Sequence, residues 1–134
     1  MDEIRLPIFD ETDIVDARQQ GRKLGTTLGF SGSELTLIAT AISEIARNIV
    51  VYAKEGYITL SIVGTASKHG LLVLAEDNGP GIADLSLAMT DGYSTHKSLG
   101  LGLPGAKRLM DEFEIESSPG KGTVIRMIKW KQRQ

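Results

Sequence analysis

The chain has 134 residues, 41% hydrophobic and 24% charged, with 15 basic and 17 acidic side chains and a formal net charge of −2. That length is expected to form one domain spanning 1–134 with a core that needs no covalent staples. Zero cysteines exclude disulfides and thiolate metal sites, two histidines are too few for a histidine-rich metal site, and the balanced charge argues against a nucleic-acid partner.

The opening residues Met1-Asp2-Glu3-Ile4-Arg5 lack a signal-peptide pattern, and no uncharged apolar stretch nears the roughly 18 residues of a membrane span. No membrane association is expected, and the absence of cysteine fits a cytoplasmic location. The first periodic segment starts at Thr12 or Asp13 as N-cap and puts Ile14, Ala17, Gly21, Leu24 and Leu28 on one helical face, with Gly29 as its C-cap. Gly21 and Gly25 each cost a helix about 1 kcal/mol relative to alanine, which points to a close helix crossing. Ser31 with Glu34 forms a capping box opening a second helix over 33–53, whose stripe is Ile38, Ile42, Ile45, Ile49 and Tyr52.

After Gly56 the period changes from 3.6 to 2, predicting strands over 57–63 and 71–75 joined by a turn from Gly64 to Gly70. A helix near 103–112 and strands over 113–116 and 123–128 follow, the last two joined by Pro119-Gly120-Lys121-Gly122. The basic run of Lys121, Arg126, Lys129, Lys131 and Arg133 reads as the solvated end of a strand. Helices first, then hairpins with an inserted glycine-rich loop and helix, predict an α+β fold: a two-layer sandwich with an antiparallel or mixed sheet and helices on one face.

Glycine is enriched, with 15 residues, six of them between positions 79 and 105. Glu44 and Asn48 lie four apart on the second helix, so they share a face distinct from its isoleucine stripe, with Arg47 beside them. Such a trio is usually a solvated polar face, and alone it is weak. In Glu76-Asp77-Asn78-Gly79-Pro80-Gly81-Ile82, an acid at a strand end precedes two glycines. Asp77 can accept a hydrogen bond from an exocyclic amine such as adenine's, while the glycines allow a sharp turn and close approach of the backbone to a ligand. An ordinary Asn-Gly-Pro turn needs only one glycine.

Gly100-Leu101-Gly102-Leu103-Pro104-Gly105 matches G-x-G-x-x-G by letters, but polar loop precedes it where the dinucleotide fingerprint demands a strand. What survives is a helix start whose free N–H groups suit phosphate, with Lys97 or His96 able to add positive charge. Gly120-Lys121-Gly122-Thr123, taken alone, is a plain hairpin turn.

In order, Glu44-x-x-Arg47-Asn48, Asp77-x-Gly79-x-Gly81, Gly100-x-Gly102 and Gly122-Thr123 resemble the GHKL (Bergerat-fold) ATPases, a match spanning about 44–123. The resemblance implies ATP held between a sheet and its helices. Asn48 would then coordinate magnesium, Asp77 would bind the adenine amine, and Gly79 and Gly81 would shape the base side. Gly100 and Gly102 would cradle phosphate, Thr123 would support the adenine pocket, and Ile82, Ser94, Thr95, His96, Lys97, Leu101 and Leu103 would add ATP contacts. Glu44 and Arg47 would be catalytic, Glu44 orienting or deprotonating the nucleophile. Gly92 would open a short lid over ATP.

Within that superfamily, 40–49, 75–77, 102–113 and the opening Asp13–Arg22 are similar to the stand-alone serine kinases of the bacterial anti-sigma class. This likeness implies phosphorylation of serine or threonine on small STAS-domain partners, followed by activation of a PP2C-type phosphatase through partner switching in a stressosome pathway. Arg18 and Arg22 on the first helix are the expected partner contacts. An anti-sigma factor kinase that holds a sigma factor is the close alternative, and a nucleotide-gated binding module without catalysis is a third. The retained Glu44 speaks against the third, because a pure binder has no need of it.

Overall fold

A computed structural model describes residues 3–81 and 102–132. Alternation begins earlier than the first periodic helix: Glu3-Ile4-Arg5-Leu6-Pro7-Ile8 forms strand β1 (Glu3–Ile8), with Ile4, Leu6 and Ile8 turned to the core. Pro7 is tolerated because β1 is an edge strand.

Helix α1 (Glu11–Leu28) is capped by Asp10, not by Thr12 or Asp13. Asp13 is the reciprocal partner in a capping box: its carboxylate accepts from the N–H of Phe9 at 2.8 Å and of Asp10 at 3.3 Å. Gly29 ends the helix in the left-handed conformation, as expected. Helix α2 (Gly32–Asn48) carries the expected Ser31–Glu34 box, and the hydrogen bond from the Ser31 N–H holds the Glu34 carboxyl below its ordinary range. Gly21 and Gly25 lie at the crossing of the two helices, as expected. A Cβ at Gly21 would overlap the tip of Ile42, and one at Gly25 would approach Leu35 to 2.6 Å.

The expected single helix over 33–53 needs correction, because α2 gives way to a π-helical turn, Ile49–Ala53. The wider i→i+5 turn rephases the side chains. Ile49 stays buried at 2% exposure while Tyr52 leaves the stripe at 39%. From Gly32 to Ala53 this segment is 22 residues long and apolar enough to cross a membrane by length and composition. Here Ile38, Ile42 and Ile45 are fully buried in the core, which accounts for its apolarity.

Strands β2 (Gly56–Gly64), β3 (Lys68–Asp77), β4 (Glu112–Ser117) and β5 (Thr123–Gln132) complete a five-stranded sheet in the order β1-β2-β3-β5-β4. All four ladders are antiparallel, in keeping with the expected α+β sandwich. Each strand exceeds its predicted length, and the first hairpin turn shrinks to Thr65–Ser67, closed by Thr65 N–H donating to the Lys68 carbonyl. Ile58, Leu60, Leu71, Val73, Ile125 and Met127 line the buried side of the sheet.

Helix α3 (Gly102–Leu109) ends three residues before its expected limit. Lys129 Nζ donates to the Leu109 carbonyl at 3.1 Å and lies 3.9 Å from Asp111. The basic run is thus not wholly solvated: a cation seals the negative end of a helix.

Candidate active site

The site is assembled from the end of the sheet, where register sets Ile8, Gly56, Asp77, Thr123 and Ser117 side by side across five strands. Asp77 is the last residue of β3 and shares the parity of Val73 and Ala75, so its side chain lies on the helix-facing side. Its Oδ1 accepts from the Gly79 N–H at 2.9 Å. Burial raises the Asp77 pKa, against the opposing pull of the Gly79 and Thr123 N–H groups. Thr123 Oγ1 is 2.8 Å from Ser117 Oγ, which donates to the Gly122 carbonyl at 2.9 Å.

Glycines make this corner possible, for a reason other than ligand approach alone. A Cβ at Gly79 would fall 2.6 Å from the Ala53 Cβ, so the loop after Asp77 is pressed on the π-helical turn. Gly81 (φ +74°) and Gly122 (φ +80°) occupy backbone conformations that suit glycine, and a Cβ on either would collide with main chain, of Ser118 and of Asp77 respectively. Gly120 N–H donates to the Pro80 carbonyl at 2.7 Å, locking the two loops together. The Pro119–Gly122 segment is therefore not a plain hairpin turn: it braces Asp77.

This yields a stability prediction. Gly122→Ala is expected to cost about 2–5 kcal/mol, from left-handed strain plus overlap with the Asp77 carbonyl. Urea unfolding should show a lowered midpoint, whereas alanine at Gly120, whose surroundings are open, should cost less.

On α2, Glu44, Arg47 and Asn48 lie along one flank, as the spacing implied. Arg47 is 3.9 Å from both Glu44 and Glu11. Asn48 Nδ2 is buried without a hydrogen-bond partner among the described residues. The trio connects to Asp77 through the π-helical turn, because Ala53, five residues beyond Asn48, touches Gly79.

At the start of α3, Gly102 and Pro104 occupy the first turn, whose N–H groups have no partner within the helix. The Leu103 side chain is 8% exposed and belongs to the core. Only its backbone can therefore face phosphate. Ile82, Gly92, Ser94, Thr95, His96, Lys97, Gly100 and Leu101 lie outside the described residues.

A cleft of about 280 Å³ opens beside Asp77, lined by Arg5, Phe9, Ala53, Glu55, Gly56, Tyr57, Glu76 and Asn78. Gly56, Ala53 and Ser117 escaped the sequence reading. Gly56 alone carried a usable signal, as a glycine at the start of a strand, where any Cβ would meet the Glu76 carbonyl.

Chemically, the corner offers a fixed carboxylate acceptor at one end and a helix flank carrying a carboxylate and an amide at the other. Residues 32–134 match the model of the histidine kinase-, DNA gyrase B- and HSP90-like ATPases. The chain belongs to that family. It is 53% identical to the serine/threonine-protein kinase RsbT of Bacillus subtilis (strain 168) over 123 residues, covering 92% of each chain. It is 36% identical to the anti-sigma F factor of Thermoanaerobacter sp. (strain X514) over 103 residues, 72% of this chain and 71% of that one.

Among solved structures, the mycobacterial sensor histidine kinase MprB superposes with a TM-score of 0.56 at 15% identity, covering 97% of this chain and 99% of that one. The SiaB–SiaC complex from Pseudomonas aeruginosa gives 0.55 at 9% identity, covering 98% and 90%. These two establish the fold alone. The expectations of a GHKL-type ATPase fold and of a protein serine/threonine kinase are borne out.

Proposed function

We propose that this kinase transfers phosphate from ATP to serine or threonine on small STAS-domain proteins (RsbS/RsbR-like). On release it activates a PP2C-type, RsbU-like phosphatase by partner switching in a cytoplasmic, stressosome-linked stress response. One GHKL domain over 1–134 carries both roles. The observation that carries this reading is the 53% likeness, over nearly the whole chain, to a protein named as a serine/threonine kinase. Retention of Glu44 one helical turn from Asn48 supports catalysis over mere nucleotide binding.

In this reading Asp77 accepts from the adenine amine, with Gly79, Gly81 and Thr123 shaping its pocket. Gly100, Gly102 and the Leu103 backbone meet phosphate, and Ile82, Ser94, Thr95, His96, Lys97 and Leu101 complete the ATP contacts. Glu44 orients the acceptor hydroxyl and takes its proton. Magnesium would be held by the amide oxygen Oδ1 of Asn48, whose buried Nδ2 has no hydrogen-bond partner among the described residues and so leaves the amide free to be oriented by a ligand; those residues offer no cluster of three or more acidic, histidine or cysteine side chains as a further metal site. That suits an ion held mainly by phosphate oxygens and water. When bound, magnesium neutralises charge on the β- and γ-phosphates.

The test is transfer of label from γ-labelled ATP to a purified STAS-domain acceptor. Wild type should label it and Asn48→Ala should not. Wild type that binds ATP but labels no acceptor would favour the nucleotide-gated module. Likeness to anti-sigma F factors supports a second reading, in which the chain holds a sigma factor and phosphorylates its anti-anti-sigma factor. Co-purification separates them: capture of a sigma factor and not of the phosphatase sinks the switch reading. Charge reversal at Arg18 and Arg22 should weaken the complex if α1 is the contact surface.

A further inference from the structure

Nucleotide binding leaves one feature of the site without a role: the shared guanidinium of Arg47. Its Nη2 lies 3.9 Å from Glu11 Oε2 and its Nη1 lies 3.9 Å from Glu44 Oε1. Two carboxylates on different helices thus contact one planar fork, each through its own nitrogen. Glu44 and Arg47 are i and i+3 neighbours on α2, and Glu11 is the first residue of α1, directly after the Asp10 cap. The Glu44 side chain is 24% exposed, so one oxygen is turned to Arg47 while the carboxylate still reaches solvent.

A glutamate base has three rotatable side-chain bonds and must come within roughly 2.6–3.2 Å of the proton that it takes. Misplacement by about 1 Å can cost on the order of 10²-fold in rate. A guanidinium fork is rigid and permanently charged, and so suits orienting a carboxylate. At 3.9 Å and with Glu11 75% exposed, these pairs add little to stability. Their value to the molecule lies in geometry.

We propose that Arg47 is a positioning residue for phosphoryl transfer. It holds Glu44 Oε1 so that Oε2 faces the acceptor hydroxyl, and Glu11 steadies Arg47 from α1. Arg47 thereby acts through Glu44 rather than on the reacting atoms, as a positioning residue and not a catalytic one. The inference rests on the reading of Glu44 as the base for transfer.

Single-turnover label transfer to the STAS-domain acceptor tests it, with ATP affinity and thermal midpoint measured on the same proteins. Arg47→Ala is expected to lower the transfer rate about 10–100-fold, with ATP affinity within about twofold of wild type and an unchanged midpoint. Arg47→Lys should recover part of the rate, and Glu11→Gln should lower it a few-fold. Placed in a Glu44→Gln background, Arg47→Ala should cause little further loss, because its effect runs through Glu44.

An Arg47→Ala rate equal to wild type overturns the inference. So does a parallel loss of rate and ATP affinity, or a full additional loss in the Glu44→Gln background. Wild type that transfers no label overturns the kinase reading and the inference with it, whereas wild-type transfer with Arg47→Ala unaffected overturns the inference alone.

Discussion

Glu44→Gln is expected to lower phosphoryl transfer about 10²–10⁴-fold, the usual contribution of a general base, equivalent to about 2.7–5.5 kcal/mol of activation free energy. Glutamine keeps the length and shape of the side chain but cannot take a proton. Glu44 lies outside the core: its side chain is 24% exposed, and its contact is a 3.9 Å ion pair on the flank of α2. The fold and nucleotide affinity should therefore survive. The informative measurement is the pair of numbers: transfer rate by single turnover and ATP affinity by a fluorescent analogue. A fall in rate at constant affinity marks an interaction made only in the transition state. Equal losses in both would reassign Glu44 to nucleotide binding, and an unchanged rate would remove it from the mechanism.

The fold was largely legible because local and global signals agree. Ser31 and Glu34 mark the start of α2 and also satisfy its free N–H groups. Gly21 and Gly25, costly in a helix, betray the crossing that requires them. β1 shows why legibility fails elsewhere. Its alternation of Ile4, Leu6 and Ile8 is plain, yet six residues interrupted by a proline give a weak signal until pairing with β2 supplies the partner. The π-helical turn left no mark in the pattern, because Ile49 and Tyr52 fit a continuous α-helical stripe equally well. They diverge at the π-helical turn, whose last residue, Ala53, packs against Gly79.

The same holds at the site. Ordered spacing of Glu44, Asn48, Asp77 and the glycines marks the components of the candidate site. The bracing of Asp77 by Gly122, and the tie from Arg47 to Glu11, join positions far apart in sequence and became visible only once the chain was folded. Gly79 and Gly81 are instructive here. Besides the close ligand approach that the motif implies, their missing side chains admit protein: Ala53 for one and Ser118 for the other.

Asp77→Asn is expected to lower ATP affinity about 100-fold or more, roughly 3 kcal/mol, without destabilising the fold. In the proposed reading Asp77 would offer adenine a charged acceptor, held by the N–H groups of Gly79 and Thr123. An asparagine in its place loses the charge and turns an amide N–H₂ toward one of these donors. Discrimination against guanine should collapse as well, since the six-position of guanine presents an acceptor that repels a carboxylate and tolerates an amide. The stability expectation follows from linkage. Burial raises the Asp77 pKa, so this shift favours folding fully below the unfolded-state value near 3.9 and loses that effect as pH rises through the folded value. At neutral pH the ionised carboxylate is a cost to the empty site that asparagine removes, which offsets the backbone donor left facing its amide, and the thermal midpoint should stay close to that of wild type. In wild type, ATP affinity should decline as pH falls through the raised pKa, beginning above the ordinary aspartate range, and Asp77→Asn should flatten that decline. Titration of a fluorescent ATP analogue and its guanine counterpart against both proteins, from neutral to acid pH, reads all of this. An Asp77→Asn protein that binds ATP as tightly as wild type, still rejects guanine and keeps the acid decline would place the base elsewhere.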